Sequence, residues 1–93
     1  MFKRVLTLIK ELVREGRYVM TLHAEEEMNS DSLEIFDVEN AILTGRIIAR
    51  QKDRLTGEWK YLLRGQALSQ DSVVVVLKLS PTGKEVILTI YKE

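Results

Sequence analysis

The chain has no cysteine, one histidine, one proline and one tryptophan among its 93 residues. Without cysteine, disulfides and thiolate metal sites are excluded, and a reducing compartment suits the chain. One histidine among carboxylates makes a poor zinc site. The sequence has no Gly-rich phosphate loop, no nucleophile elbow and no calcium loop with repeated oxygen ligands. Its start lacks the uninterrupted apolar run of a signal peptide. The longest strongly apolar run, Val73–Leu77, is far too short to span a bilayer. There is no internal repeat and no low-complexity tract. The expectation is a cytoplasmic protein with no cofactor, no metal and no membrane contact.

Hydrophobic content of 45% and charged content of 30% indicate a folded protein. The length fits one small domain over residues 1–93 with a modest core. Net charge is zero, yet the charges are segregated. From His23 to Gly45 the chain carries Glu25, Glu26, Glu27, Asp31, Glu34, Asp37 and Glu39 and no Lys or Arg. From Arg46 to Arg64 it carries six cations (Arg46, Arg50, Lys52, Arg54, Lys60, Arg64) against Asp53 and Glu58. The first stretch repels phosphate and the second attracts it.

Phe2, Val5, Leu6, Ile9, Leu12 and Val13 follow the i, i+3, i+4, i+7 spacing of one helix face, and Gly16 suits its end. Tyr18–Leu22 reads as a short extended connector, and Thr21 can cap a second, short helix. Asn29–Ser32 reads as a loop. Ile35, Val38, Ala41 and Ile42 line a third helix, with Gly45 as its stop. From Arg46 onward the period changes to two. Ile47–Lys52, Trp59–Ala67, Val73–Leu79 and Glu85–Tyr91 read as strands, and Ser80–Lys84 as a type I hairpin turn. Helices first and strands afterwards predict an α+β fold, with N-terminal helices packed on a four-stranded antiparallel β-sheet. Val73–Leu77 is apolar on both faces. It predicts a central strand covered by helix on one side and by a partner or further chain on the other.

His23-Ala24 with Met28, then Asp37-Val38, Ala41-Ile42 and Gly45, then Tyr61 with Gly65, then Thr89-Ile90-Tyr91 resemble the small prokaryotic domain-of-unknown-function family 4258. The resemblance covers residues 18–91. Members often stand beside zinc-finger antitoxins and are grouped with RelE-like and barnase-like ribonuclease toxins. The resemblance therefore implies a RelE-like fold, a toxin–antitoxin setting with an antitoxin as partner, and RNA as substrate. Many members carry arginine before the methionine and again in the following loop. Here those slots hold Glu27 and Asp31.

Metal-independent RNA cleavage needs a base, an acid and cations facing the phosphate. His23 can serve as either acid or base, and Glu27 lies one helical turn away to orient it or donate a proton. Lys60 and Arg64 alternate onto one strand face, where both can meet a phosphate, and Arg50 belongs to the same basic segment. Thr89 and Tyr91 share a strand face and can supply hydroxyls. The candidate set is therefore His23, Glu27 and Tyr91 for catalysis and Lys60, Arg64, Arg50 and Thr89 for RNA binding. Bland roles compete with each. A lone histidine at a helix start more often caps or packs, Glu25–Glu27 reads as a solvated face, and strand cations discourage edge aggregation. Thr89 and Tyr91 are strong strand formers. Trp59, Tyr61 and Met28 read as core. The rival function is a non-catalytic protein-interaction module, a toxin fold that kept only partner binding. A homodimer is a further candidate assembly.

Overall fold

The computed structural model describes residues 2–93. Helix α1 (Lys3–Arg14) buries Ile9, Leu12 and Val13, the C-terminal half of the predicted stripe. Gly16 ends it at φ +70°, with Gly16 N–H on the Val13 carbonyl (3.0 Å) and Arg17 N–H on the Leu12 carbonyl (2.8 Å). This is the paired closure that a left-handed glycine allows. Next come β1 (Tyr18–Met20), α2 (Leu22–Ser30) and α3 (Ile35–Thr44), and then β2 (Arg46–Lys52), β3 (Trp59–Gln66), β4 (Ser72–Leu79) and β5 (Glu85–Lys92). Thr21 caps α2 by accepting the Ala24 N–H at 3.1 Å. Glu34 and Asp37 form a reciprocal capping box on α3.

The sheet has five strands in the order β1-β5-β4-β3-β2. Three neighbouring pairs are antiparallel, and β1 runs parallel to β5. The expected four-stranded antiparallel sheet is therefore corrected to a five-stranded mixed one. Tyr18–Met20 is too short to show an alternation, and only its distant partner, Glu85–Ile87, makes it a strand. Two smaller corrections follow. Asn29 and Ser30 close α2 instead of beginning a loop. Trp59 is 39% exposed and stacks with Arg50, so it is not core, while Tyr61 is. The Ser80–Lys84 turn is as expected, with Gly83 N–H on the Ser80 carbonyl at 3.1 Å.

Tyr61, Leu63, Val73, Val75, Leu77, Ile87 and Ile90 form the buried floor beneath α1 and α3. Helix α3 sits very close to β3. A Cβ on Gly65 would fall 1.8 Å from the Ala41 carbonyl oxygen, so only glycine fits there. On the other sheet face Val74 is also fully buried, flanked by Arg64 on β3 and Tyr91 on β5. Neighbouring side chains thus supply much of the cover that was expected from a partner. Among the described residues no helix is long and apolar enough to cross a membrane.

Candidate functional site

His23, Glu27 and Tyr91 line one open cavity of about 340 Å³, between α2 and the second half of β5. Two elements distant in sequence build it. Helix α2 places His23 and Glu27 four residues apart, with His23 Nε2 3.3 Å from Glu27 Oε1. Strand β5 brings Tyr91 beside them. His23 is 69% exposed at its side chain, so it neither caps nor packs. The three proposed catalytic residues are therefore brought together. Glu26 and Asp31 share the same wall, and no Lys or Arg lines it.

Glu27 has a second attachment. Its Oε1 accepts the Ile90 backbone N–H at 3.1 Å, and Asp31 Oδ2 accepts the Lys92 N–H at 3.0 Å. These N–H groups lie on the edge of β5 beyond the reach of the three-residue β1. Four residues rise ~6 Å along a helix, and two residues rise ~6.6 Å along a strand. Carboxylates at i and i+4 of α2 therefore match donors at i and i+2 of β5. Thr21 continues the seal, its N–H bonding the Ile87 carbonyl (3.0 Å) and its hydroxyl the Leu88 carbonyl (3.3 Å). Glu27 and Asp31 thus act as a clamp on a sheet edge.

The four proposed RNA-binding residues are not brought to one place. Lys60 and Arg64 lie on the sheet face opposite α1 and α3, as alternation requires, and Thr89 shares that face because a register shift between Ile87 and Thr89 inverts the second half of β5. Arg50 lies on the helix face, its guanidinium 3.9 Å from the Trp59 ring centroid and 5.4 Å from that of Phe2. A register shift between Ile47 and Ala49 causes the change of face, because one inserted residue inverts every later side chain. The other cations carry internal partners. Lys60 Nζ stands 3.6 Å from Asp53 Oδ2, and Arg64 forks onto Glu93 through Nε and Nη2. That fork holds the Glu93 carboxyl below the usual carboxylate range. Tyr91 and Arg64 flank Val74 from either side, two strand spacings or ~10 Å apart. Among the described residues, no three metal-ligating side chains converge.

Two features carry no motif in the sequence. Glu85 opens β5 inside the core with no exposed surface, and neither carboxylate oxygen has a hydrogen-bond partner. Burial pushes its pKa up to about 8. Tyr18, its partner across the parallel pair, donates to Glu39 Oε2 at 2.6 Å. Burial first, and this bond second, raise the Tyr18 phenol well above its ordinary value. The second feature is Arg46, which lies directly opposite Arg64 with no ion-pair partner among the described residues. Its isolation becomes visible only once the strand register is known.

The fold and this cavity describe a small α+β protein with a histidine–carboxylate pair at a sealed sheet edge. Residues 20–92 match the model of the family described as a domain of unknown function, DUF4258, and the chain belongs to that family. Searches of curated proteins and of solved structures return no match.

Proposed function

We propose that the chain is a non-catalytic protein-interaction module, a toxin-type fold of the RelE-like kind in which the His23 cavity no longer performs phosphate chemistry. The observation that carries this reading is the charge around His23. Glu26, Glu27 and Asp31 line the cavity without a Lys or Arg. A phosphodiester placed there meets three carboxylates, and its transition state gains negative charge that nothing nearby offsets. Glu27 Oε1 is committed to the Ile90 N–H, a structural attachment to β5 rather than a contact held free for a substrate. The absence of cysteine suits a reducing, cytoplasmic setting, which belongs to the same proposal.

A second reading keeps the ribonuclease, and the meeting of His23, Glu27 and Tyr91 in one cavity favours it. One experiment separates the two. On the module reading, RNA incubated with the protein is not cut at any pH. His23→Ala and His23→Gln then match the parent in melting temperature, because the ring is exposed. Cleavage that falls by ~10²–10⁴ in both variants, the usual effect of removing a general acid or base, would refute the module. Any RNA binding through Lys60 or Arg64 should strengthen as salt falls, each phosphate contact adding about 0.7 to the log–log slope.

A further inference from the structure

We infer that β2 is the docking edge for an acidic, extended segment of a partner protein, which joins the sheet as a sixth strand. The inference rests on the interaction-module reading and gives that module its binding surface. The two sheet edges differ. On one side β1, Thr21, Glu27 and Asp31 occupy the outer edge of β5. On the other, β2 is a seven-residue terminal strand, and its backbone hydrogen bonds among the described residues go to β3 alone. A free edge offers alternating N–H donors and C=O acceptors, and another extended backbone satisfies both.

Charge names the occupant. Arg46, Arg50 and Lys52 project from this strand with no ion-pair partner among the described residues. Concave surfaces flank it on both sides. One, of about 450 Å³, has an apolar floor of Phe2, Leu6 and Ile47 and a charged rim of Lys3 and Arg46. The other, of about 500 Å³, sets Arg46 and Arg64 together with the Ser72 side chain. An added strand sends alternate side chains to the two faces, so on the helix face apolar residues meet the first concavity beside Ile47 and carboxylates meet Arg50 and Lys52, while on the other face carboxylates meet Arg46. The register shift between Ile47 and Ala49 interrupts the ladder and leaves Ala49–Lys52 as its regular part. A short ladder gives modest affinity, so the cations supply much of the selectivity. A second copy fits poorly, because antiparallel β2–β2 pairing brings like charges together. Single-stranded RNA fits less well than a peptide, because phosphates accept hydrogen bonds and leave the β2 carbonyls unpaired.

Trp59 pairs with Lys52 and stacks with Arg50, which makes its fluorescence a reporter of this edge. The full chain is titrated with a short peptide alternating valine and glutamate. Parallel titrations use the same peptide with lysine for glutamate, one with alternate backbone nitrogens methylated, and oligouridine. The acidic peptide should bind saturably and weaken with salt. Backbone methylation or Arg46→Glu should weaken it about ten-fold or more, as expected for losing a ladder or reversing a close charge. Lys52→Glu, at an exposed position, gives the same reading if Arg46→Glu fails to fold. Amide shifts should concentrate in residues 46–52. No binding, equal binding by the methylated peptide, or tighter binding by oligouridine would each overturn the assignment. His23-dependent RNA cleavage would instead refute the underlying module, so the two failures are distinguishable.

Discussion

Replacing Glu85 with glutamine should flatten the pH dependence of stability where the parent is most sensitive. The carboxyl sits between Tyr18 of β1 and Leu79 of β4 with no exposed surface and no hydrogen-bond partner. Burial lifts its pKa from 4.5 to about 8. Below 4.5 both folded and unfolded chains hold the proton, and the group contributes nothing to pH dependence. Between 4.5 and about 8 the unfolded chain has released the proton while the folded chain keeps it. Stability therefore falls as pH rises, by about 1.4 kcal/mol per pH unit. Above about 8 both states are ionised and the full penalty of about 5 kcal/mol, an upper figure, persists. Glutamine keeps the shape and does not titrate. Urea midpoints of parent and Glu85→Gln should therefore nearly coincide at about pH 4–5 and separate progressively toward pH 9, with the parent weaker. Asp53, Glu58 and Glu93, held low by hydrogen bonds to Leu55 N–H, Lys78 and Arg64 respectively, lose stability toward acid in both proteins and cancel in the difference. A difference between the two proteins that stays constant across this range would refute the argument.

Ile9→Ala empties a fully buried site beneath α1 and should lower unfolding free energy by ~2–5 kcal/mol in urea titration. Gly65→Ala drives a Cβ into the Ala41 backbone of α3, so the helix must lift from the sheet. A loss of at least ~1–3 kcal/mol is expected, and an unchanged melting temperature would contradict that packing. Glu27→Ala removes the acceptor for the Ile90 N–H and should cost about 1.5–3 kcal/mol, with faster hydrogen exchange at Ile90. Glu27→Gln retains an acceptor and should lose less on both measurements.

The helices and the C-terminal strands were legible because each repeats its signal over several turns or pleats. The α1 stripe from Phe2 to Val13 and the period change at Gly45 are examples. Gly45 ends α3 in an extended conformation (φ −84°) rather than a left-handed one, and glycine is needed there because a side chain would collide with the Ala41 and Arg64 carbonyls. Three residues of β1 cannot repeat anything, and their partner lies 67 positions away. Within the site, His23 and Glu27 were readable from helical spacing. Lys60 and Arg64 were readable from strand alternation. The face of Arg50 was not legible, because a single inserted residue at Ile48 inverts it and composition carries no trace of the insertion. The roles of Asp31 and Glu27 on β5 were hidden for another reason. Their acceptors are side chains but their donors are backbone, which every residue has.

The parallel pairing of β1 with β5 also constrains the order of assembly. Tyr18 meets Glu85, and Thr21 meets Leu88, each pair 67 positions apart in the sequence. Neither β1 nor the α2 clamp can form its native contacts until β5 has been synthesised and docked on β4. Loop closure over that distance slows folding relative to the local hairpins, which can form first. Until β5 itself has emerged, the valine-rich strand β4, apolar on both faces, waits beside β3 with its β5 edge unpaired. That interval is when the nascent chain is most exposed to intermolecular strand pairing, and shortening it depends on how fast β5 arrives.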